Sequence, residues 1–351
     1  MNALTLSEYK RLTIEQQPTP LCGPGEVLIQ VAACGICGSD VHGYDGSSGR
    51  RIPPIVMGHE AAGIISSVGS EVVALSPGDR VTFDSTIYCD QCEFCIRGQV
   101  NLCENRQVAG VSCGDYRRAG AFAEYIAVPA YIVYKLPPEM PFAHAAMLEA
   151  VSVALHAVKL SGIQPGDNAL IIGAGMIGLL TLQAAALAGC SRVIVADVDP
   201  TRLQLASALG ASHTLLASGT ELVAEILCFT AGRGVDVALE AVGRSETVAA
   251  AIDSTRKGGT VTLIGNIDPQ VSIPLQTVVT RQIRLQGSCA SAGEYPEAIQ
   301  LVSSGKIQVA PLISAIAPLE DGQQWFDRLH AREPNLMKVI LDPRPSGQSD
   351  E

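Results

Sequence analysis

Apolar residues in the first 150 or so positions come in short runs that suit strands: EVLIQVAACG, AAGIISSVG, DRVTF and FAEYIAVP. Turn signals such as GPGE and SPGDR separate them. The pattern predicts a compact, mainly β domain. From residue 152 the texture changes. NALIIGAGMIGLLTLQAAALAG reads as a buried strand, a glycine-rich turn and a helix, SRVIVADVD as a strand, and PTRLQLASALGA as a helix. VDVALEAVG, GGTVTLIG and IRLQGSC follow as strands alternating with helical stretches. Such alternation predicts a parallel sheet with helices on both faces, so the fold class is α/β, a mainly β domain joined to a doubly wound sheet. After residue 290, YPEAIQLVSSGKI reads as a helix, MKVILDP as a closing strand, and RPSGQSDE as a frayed tail. The expected segments are 1–151, 152–290 and 291–351.

Composition narrows the class. The chain has 351 residues, 47% of them hydrophobic, with 34 glycines and few aromatics. That is enough for two domains and suits an α/β protein with many tight turns. A net charge of −11 and the absence of any long basic run argue against nucleic acid as a partner. The opening MNALTLSEYKRLTIEQQ lacks a signal-type apolar region. No uninterrupted apolar stretch reaches membrane-spanning length, so no membrane partner is expected. The expected compartment is the cytoplasm. There the eleven cysteines stay mostly reduced, and clustered ones bind metal more often than they pair.

Three constellations carry chemistry. The first is IIGAGMIG, which places Gly173, Gly175 and Gly178 in the G-x-G-x-x-G pattern around Met176 and Ile177. It follows a strand and opens a helix, whose free N–H groups suit a pyrophosphate. Asp197 lies nineteen positions beyond the last glycine, where a carboxylate binds the adenosine ribose and repels a 2′-phosphate. NAD is therefore favoured over NADP.

The second is Cys89, Cys92, Cys95 and Cys103, spaced Cys-x2-Cys-x2-Cys-x7-Cys. Four thiolates with no open position fit a structural zinc. Ferredoxin-type runs place the fourth cysteine three residues on and follow it with proline, and neither holds here. Iron–sulfur and paired disulfides remain the alternatives. The third is Cys37, His59 and Glu60, all possible zinc ligands. Neighbours on a regular strand point to opposite faces, so His59 and Glu60 reach one ion only at a bend or by exchange. Glu149, read alone, is a carboxylate near a helix start.

Together these features resemble the zinc-dependent medium-chain dehydrogenase/reductase family, in its alcohol, sorbitol and threonine dehydrogenase group. The resemblance rests on PGEVLIQV, CGICGSDVH, GHEAAGII, PGDRV, the cysteine run, GAFAEYIAVP, LEAVSVALHAV, IIGAGMIGLL, GGTVTLIG and KVILDP, and covers nearly the whole chain. It implies a GroES-like catalytic domain over 1–151 with a structural zinc lobe at 88–104. It further implies an NAD-binding Rossmann domain over 152–290, a segment 291–351 returning to the catalytic domain, and an active site between the domains. Cys37 and His59 match the family's catalytic zinc ligands. Glu60 matches an adjacent glutamate that acts as a ligand or exchangeable group. Glu149 sits where polyol dehydrogenases carry Glu and ethanol-type enzymes carry Cys, so which carboxylate is the third ligand stays open. Ser39 matches the hydroxyl of the proton relay, and His42 follows where that relay continues. Arg202 falls beside the adenine, and Val242, Ile264 and Gly265 along the ribose and nicotinamide.

The implied activity is zinc- and NAD-dependent oxidation of a secondary alcohol in a polyol, sugar alcohol or sugar derivative to a ketone, by a homodimer or homotetramer. Two departures stand out. Ala290 and Ser291 replace an Arg-Tyr pair usual in sorbitol dehydrogenases. Tyr116, Arg117 and Arg118 make one loop basic, which suits either an anionic substrate or a merely solvated loop. The rival readings are a zinc-independent NADPH quinone or enone reductase on the same fold, and a catalytically silent nucleotide-binding sensor.

Overall fold

The computed structural model describes residues 1–216 and 218–344. Of the tail expected to fray, 345–351 lies outside the described residues. The chain divides into two units. The first contains Met1–Glu149, Tyr295–Ser303 and the chain from Val309 on; the second contains Ala150–Glu294 and Ser304–Gln308. The return to the first unit therefore starts at Tyr295, not at 291, and is interrupted once. Both differences have a polar cause. Glu294 is held in the second unit by the His156 ring, with Nδ1 3.0 Å from its carboxylate, and by the Ala292 N–H at 2.5 Å. Gln308 exchanges two hydrogen bonds with the Gln183 side chain, at 2.7 and 3.1 Å.

In the first unit the central sheet is built on strand Glu26–Gly35. Strands Glu60–Val68 and Lys338–Asp342 flank it, both antiparallel, with Gly35 opposite Glu60 and also opposite Ile340. This register brings the residues just after Gly35, those around Glu60 and those at Lys338 to one end of the sheet. The core beneath is apolar, with Leu4, Ile29, Ile65, Phe83, Phe122 and Phe326 almost fully buried. Burying such side chains stabilises the fold by about 1.5–3 kcal/mol each. A second, three-stranded sheet includes an N-terminal hairpin, Asn2–Glu8 with Arg11–Gln16. No strand is expected there from the apolar pattern, yet Ala3, Leu4, Thr5 and Leu6 form a continuous buried run, joined by Leu12 on the second strand.

The second unit is a six-stranded parallel sheet. In spatial order its strands are His213–Leu216, Arg192–Asp197, Asn168–Ile172, Val235–Glu240, Thr255–Leu263 and Arg284–Gly287. Numbered along the chain within this sheet, the order is 3-2-1-4-5-6, the doubly wound dinucleotide-binding arrangement. Every residue of Val235–Glu240 is buried, as a strand covered on both faces requires. The stretch Phe142–Ser161 is, against expectation, long and apolar enough by composition to cross a membrane. However, 67% of its apolar window is buried in the fold, and it carries Glu149 and His156. It is a core segment.

At the N-terminal ends of these strands one carboxylate ties three segments. Asp236 accepts from Asn168 N–H (2.9 Å), Arg256 Nε (2.6 Å) and Arg233 Nη2 (2.7 Å). Burial works to raise its pKa, but these donors outweigh burial and hold it below the ordinary carboxylate value. A depressed folded pKa gives stability that is present above the unfolded value and lost as pH falls through the folded one. Asp236→Asn is therefore expected to cost about 1–2 kcal/mol at neutral pH, measured by denaturant unfolding. The gap from wild type should close as the pH falls below about 4.

Candidate metal centres and dinucleotide turn

Strand Glu26–Gly35 delivers the chain to Cys37, which caps the short helix Gly38–Tyr44. The Asp40 carboxylate accepts the Cys37 N–H at 3.2 Å and so fixes that cap. Gly58 adopts φ +93°, directly before His59, and the next strand begins only at Glu60. His59 is thus not on a regular strand, and the bend that its adjacency to Glu60 demands is supplied by a glycine. A side chain at Gly58 would also strike Cys34 and Phe122. The Cys37 thiol, a His59 ring nitrogen and a Glu60 carboxylate oxygen all lie within 4.8 Å of one another.

The surroundings fix these donors. His59 Nδ1 sits 3.4 Å from Asp40 Oδ1, without the alignment of a hydrogen bond. Burial alone would push the imidazole pKa down; the Asp40 charge overrides it and holds the ring well above its usual value. Arg51, also buried, reaches Asp40 at 3.2 Å and the Ser39 hydroxyl at 3.4 Å. Glu60 Oε2 is ion-paired with buried Lys338, which also donates to the Ile36 carbonyl at 3.0 Å. Glu60 Oε1 is buried without a hydrogen-bond partner. Glu149 is partly buried. Burial first, then Glu60 and Asp84, push its carboxyl up to about 7, with His59 pulling the other way. It stands outside the 4.8 Å group. A soft thiolate, an imidazole and an orphaned buried carboxylate oxygen in an acid-rich pocket fit a zinc ion. Ser39 and His42 share the helix Gly38–Tyr44, and both are exposed. His42 Nδ1 lies 3.4 Å from Ser47 Oγ.

Cys89, Cys92, Cys95 and Cys103 form the second donor group, again within 4.8 Å. All four are free thiols, and the Cys92 and Cys95 sulfurs are 3.5 Å apart, beyond bonding distance. Backbone N–H groups of Gln91 and Cys92 lower Cys89 to about 6, whereas burial and then Cys92 raise Cys95 to about 12. Four sulfurs this close cannot all ionise together without a cation. The set fits a closed tetrahedral zinc site.

In the second unit Gly173 adopts φ +97°, and a side chain there would strike Val242. Gly178 packs against the Gly173 carbonyl. A Cβ at Gly175, by contrast, meets no protein atom within 4 Å. Packing does not explain that glycine, whereas room for a pyrophosphate over the start of helix Met176–Leu187 does. Asp197 ends the second strand of the sheet. Its Oδ2 accepts the Ala174 N–H at 2.6 Å and its Oδ1 the Asp199 N–H at 2.9 Å, so the acid is locked against the glycine turn. Arg202 is half-exposed, 3.6 Å from Asp199. Val242, Ile264 and Gly265 lie at the C-terminal ends of the fourth and fifth strands.

Asp40, Arg51 and Lys338 were missed by motif reading. The available signal was a charge where the pattern calls for an apolar residue, as with Lys338 opening the buried strand KVILD. The basic loop is anchored to its own surroundings. Arg117 donates to the Pro54 carbonyl (2.9 Å), Arg118 to Gln107 (2.6 Å), and Tyr116 accepts the Val108 N–H (3.1 Å). Ala290 has φ +50°, and Ser291 is buried.

Residues 23–138 match the model for the alcohol dehydrogenase GroES-like domain, and residues 177–304 the model for zinc-binding dehydrogenases. The chain is 34% identical to sorbitol dehydrogenase of Bacillus subtilis, over 98% of this chain and 97% of that protein. It is 37% identical to L-idonate 5-dehydrogenase of Vitis vinifera, over 97% and 94%. A zinc-binding dehydrogenase from Sinorhizobium meliloti 1021, solved with NADP, superposes with a TM-score of 0.87 at 32% identity, covering 97% of this chain and 99% of the other.

With metal counted by atomic spectroscopy, the wild type is expected to hold about two zinc ions per chain. Cys103→Ser should hold about one and melt at a lower temperature. Unchanged zinc in that variant would mean the cysteine lobe binds none.

Proposed function

The chain belongs to the zinc-binding alcohol dehydrogenase family, and from that membership we infer that it oxidises a secondary alcohol of a polyol or sugar derivative to the ketone, with NAD rather than NADP taking the hydride. The observation that carries the chemistry is the convergence of Cys37, His59 and Glu60 on one ligand-sized point. We assign those three to the catalytic zinc. Glu149, partly buried and within electrostatic reach of Glu60 without joining the group, is the carboxylate available for exchange. The metal, when bound, supplies Lewis-acid polarisation that lowers the pKa of a hydroxyl.

The chain's own residues do the rest. Lys338 occupies one oxygen of Glu60 and leaves the other without a hydrogen-bond partner. Asp40 lies 3.4 Å from His59 Nδ1, the ring nitrogen that a carboxylate commonly steadies in a metal-binding histidine. Ser39 accepts the substrate proton at Oγ, and His42 passes it on. Sorbitol and L-idonate, named in the two relatives, are both polyhydroxylated, which supports the polyol class for this chain.

The NADP-bound neighbour leaves the choice of cofactor to this chain's residues. Asp197 favours NAD, since a fixed carboxylate beside the glycine turn accepts ribose hydroxyls and repels a 2′-phosphate. Arg202 is assigned beside the adenine, and Val242, Ile264 and Gly265 along the ribose and nicotinamide. A homodimer or homotetramer is the assembly we propose with this activity.

Two experiments test these assignments. NAD⁺ reduction followed at 340 nm, over polyols, sugar acids and simple secondary alcohols, should reveal one favoured class. On that substrate Cys37→Ser should lose at least about 1,000-fold in turnover, the scale of several kcal/mol of lost polarisation, while still binding NADH. Normal turnover in that variant would sink the zinc assignment. Combining Asp197→Ala with Val198→Arg should shift kcat/KM toward NADP by at least about tenfold, by removing a repulsion and adding an attraction. A wild type that already prefers NADP would overturn the reading of Asp197.

A further inference from the structure

Glu240 ends the fourth strand of the parallel sheet and is fully buried. A carboxylate is unexpected in a strand closed to water on both faces. Its oxygens are met by backbone N–H groups. Oε1 accepts from Val242 (2.8 Å) and Gly243 (2.9 Å), and Oε2 from Gly243 (2.9 Å). Its own main-chain carbonyl accepts from Ile264 (2.8 Å) and Gly265 (3.0 Å). One residue therefore holds two loops, those that follow the fourth and fifth strands.

The loops are also locked to each other. Ile267 N–H donates to the Val242 carbonyl at 3.3 Å, and Asp268 N–H to the Gly243 carbonyl at 2.9 Å. A side chain on Gly243 would strike Gly265, and one on Gly265 would strike Val242. The contact is backbone to backbone, with no side chain between to absorb an error. Burial raises the Glu240 pKa, with the Gly243 N–H, the Thr247 side chain and the Val242 N–H pulling it back.

We propose that Glu240 is a positioning residue for the nicotinamide half of the dinucleotide, fixing Val242 through its carboxylate and Ile264 and Gly265 through its carbonyl. This rests on the NAD reading above. Asp197, on the second strand, serves the adenosine half through the glycine turn. The two halves are therefore separable: a defect at Glu240 should weaken ligands that carry the nicotinamide and spare those that do not.

The test is calorimetric binding of NADH and of ADP to the full chain, in the wild type, Glu240→Gln and Glu240→Ala. Glutamine keeps one acceptor oxygen, and alanine keeps none. NADH affinity should fall by about tenfold or more in Glu240→Ala, as expected for buried N–H groups left unpaired, and by less in Glu240→Gln. ADP affinity should stay within about twofold in both, since only the carboxylate's tie to Val242 and Gly243 is cut, while the carbonyl's bonds to Ile264 and Gly265 survive either substitution. An equal loss for both ligands would overturn the proposal in favour of a general folding role, and so would an undiminished NADH affinity. Should the alanine variant not fold, the glutamine variant and its melting curve carry the same comparison. A wild type that binds neither ligand would overturn the dinucleotide reading, and the proposal with it.

Discussion

Glu60 and Lys338 form an ion pair closed to water on every side, and the first unit is arranged around it. The partners are 278 positions apart in the chain. They meet because Glu60–Val68 and Lys338–Asp342 both pair with Glu26–Gly35. Gly35 lies under the pair, where a side chain would collide with the Glu60 carboxylate. A buried pair stabilises only when its remaining hydrogen-bonding capacity is met, and the Ile36 carbonyl meets part of it for Lys338. The unsatisfied half belongs to Glu60, at Oε1. The C-terminal return is therefore not just a closing strand: it brings the cation without which Glu60 would be a bare charge in the core.

The same charge logic extends outward from the pair. Asp40 is held down to about 2, against the burial that would raise it, by His59 first and then Arg51. Glu149 rises instead, through burial first and then the nearby Glu60 and Asp84 charges, against the pull of His59. Asp40, Glu60, Glu149 and the Cys37 thiol thus share two fixed cations, Arg51 and Lys338, and one imidazole. A divalent ion completes that balance. The fold and the metal are in this sense complementary parts of one electrostatic problem.

What was legible in the sequence follows from distance along the chain. The cysteine run and the glycine turn are local, so their spacing carried the geometry. Five of the six strands of the doubly wound sheet were legible, the inner ones because full burial produces continuous apolar runs, whereas His213–Leu216, a short and partly exposed edge strand, was not. Lys338, Asp40 and Arg51 escaped because antiparallel pairing and a buried arginine, not spacing, bring them to the site. The objection that His59 and Glu60 face opposite ways assumed a regular strand, and Gly58 at φ +93° removes that assumption. Domain edges moved by a few residues for a related reason. Glu294 and Gln308 follow side-chain partners, His156 and Gln183, that no periodicity announces.

Three acids in the second unit show how one residue type takes different duties from its place on the same sheet. Asp236, at the N-terminal ends of the strands, pairs with two arginines and one strand N–H and holds segments together. Asp197 and Glu240, at the C-terminal ends, bind backbone N–H groups of loops instead. The distinction is physical. An arginine pair tolerates movement of a long side chain, whereas an N–H of a tight turn leaves its acceptor a narrow range of positions. A carboxylate anchored by N–H groups therefore sets loop geometry more than it adds stability. The C-terminal ends are where a doubly wound sheet places its ligand, so that is where such geometry matters.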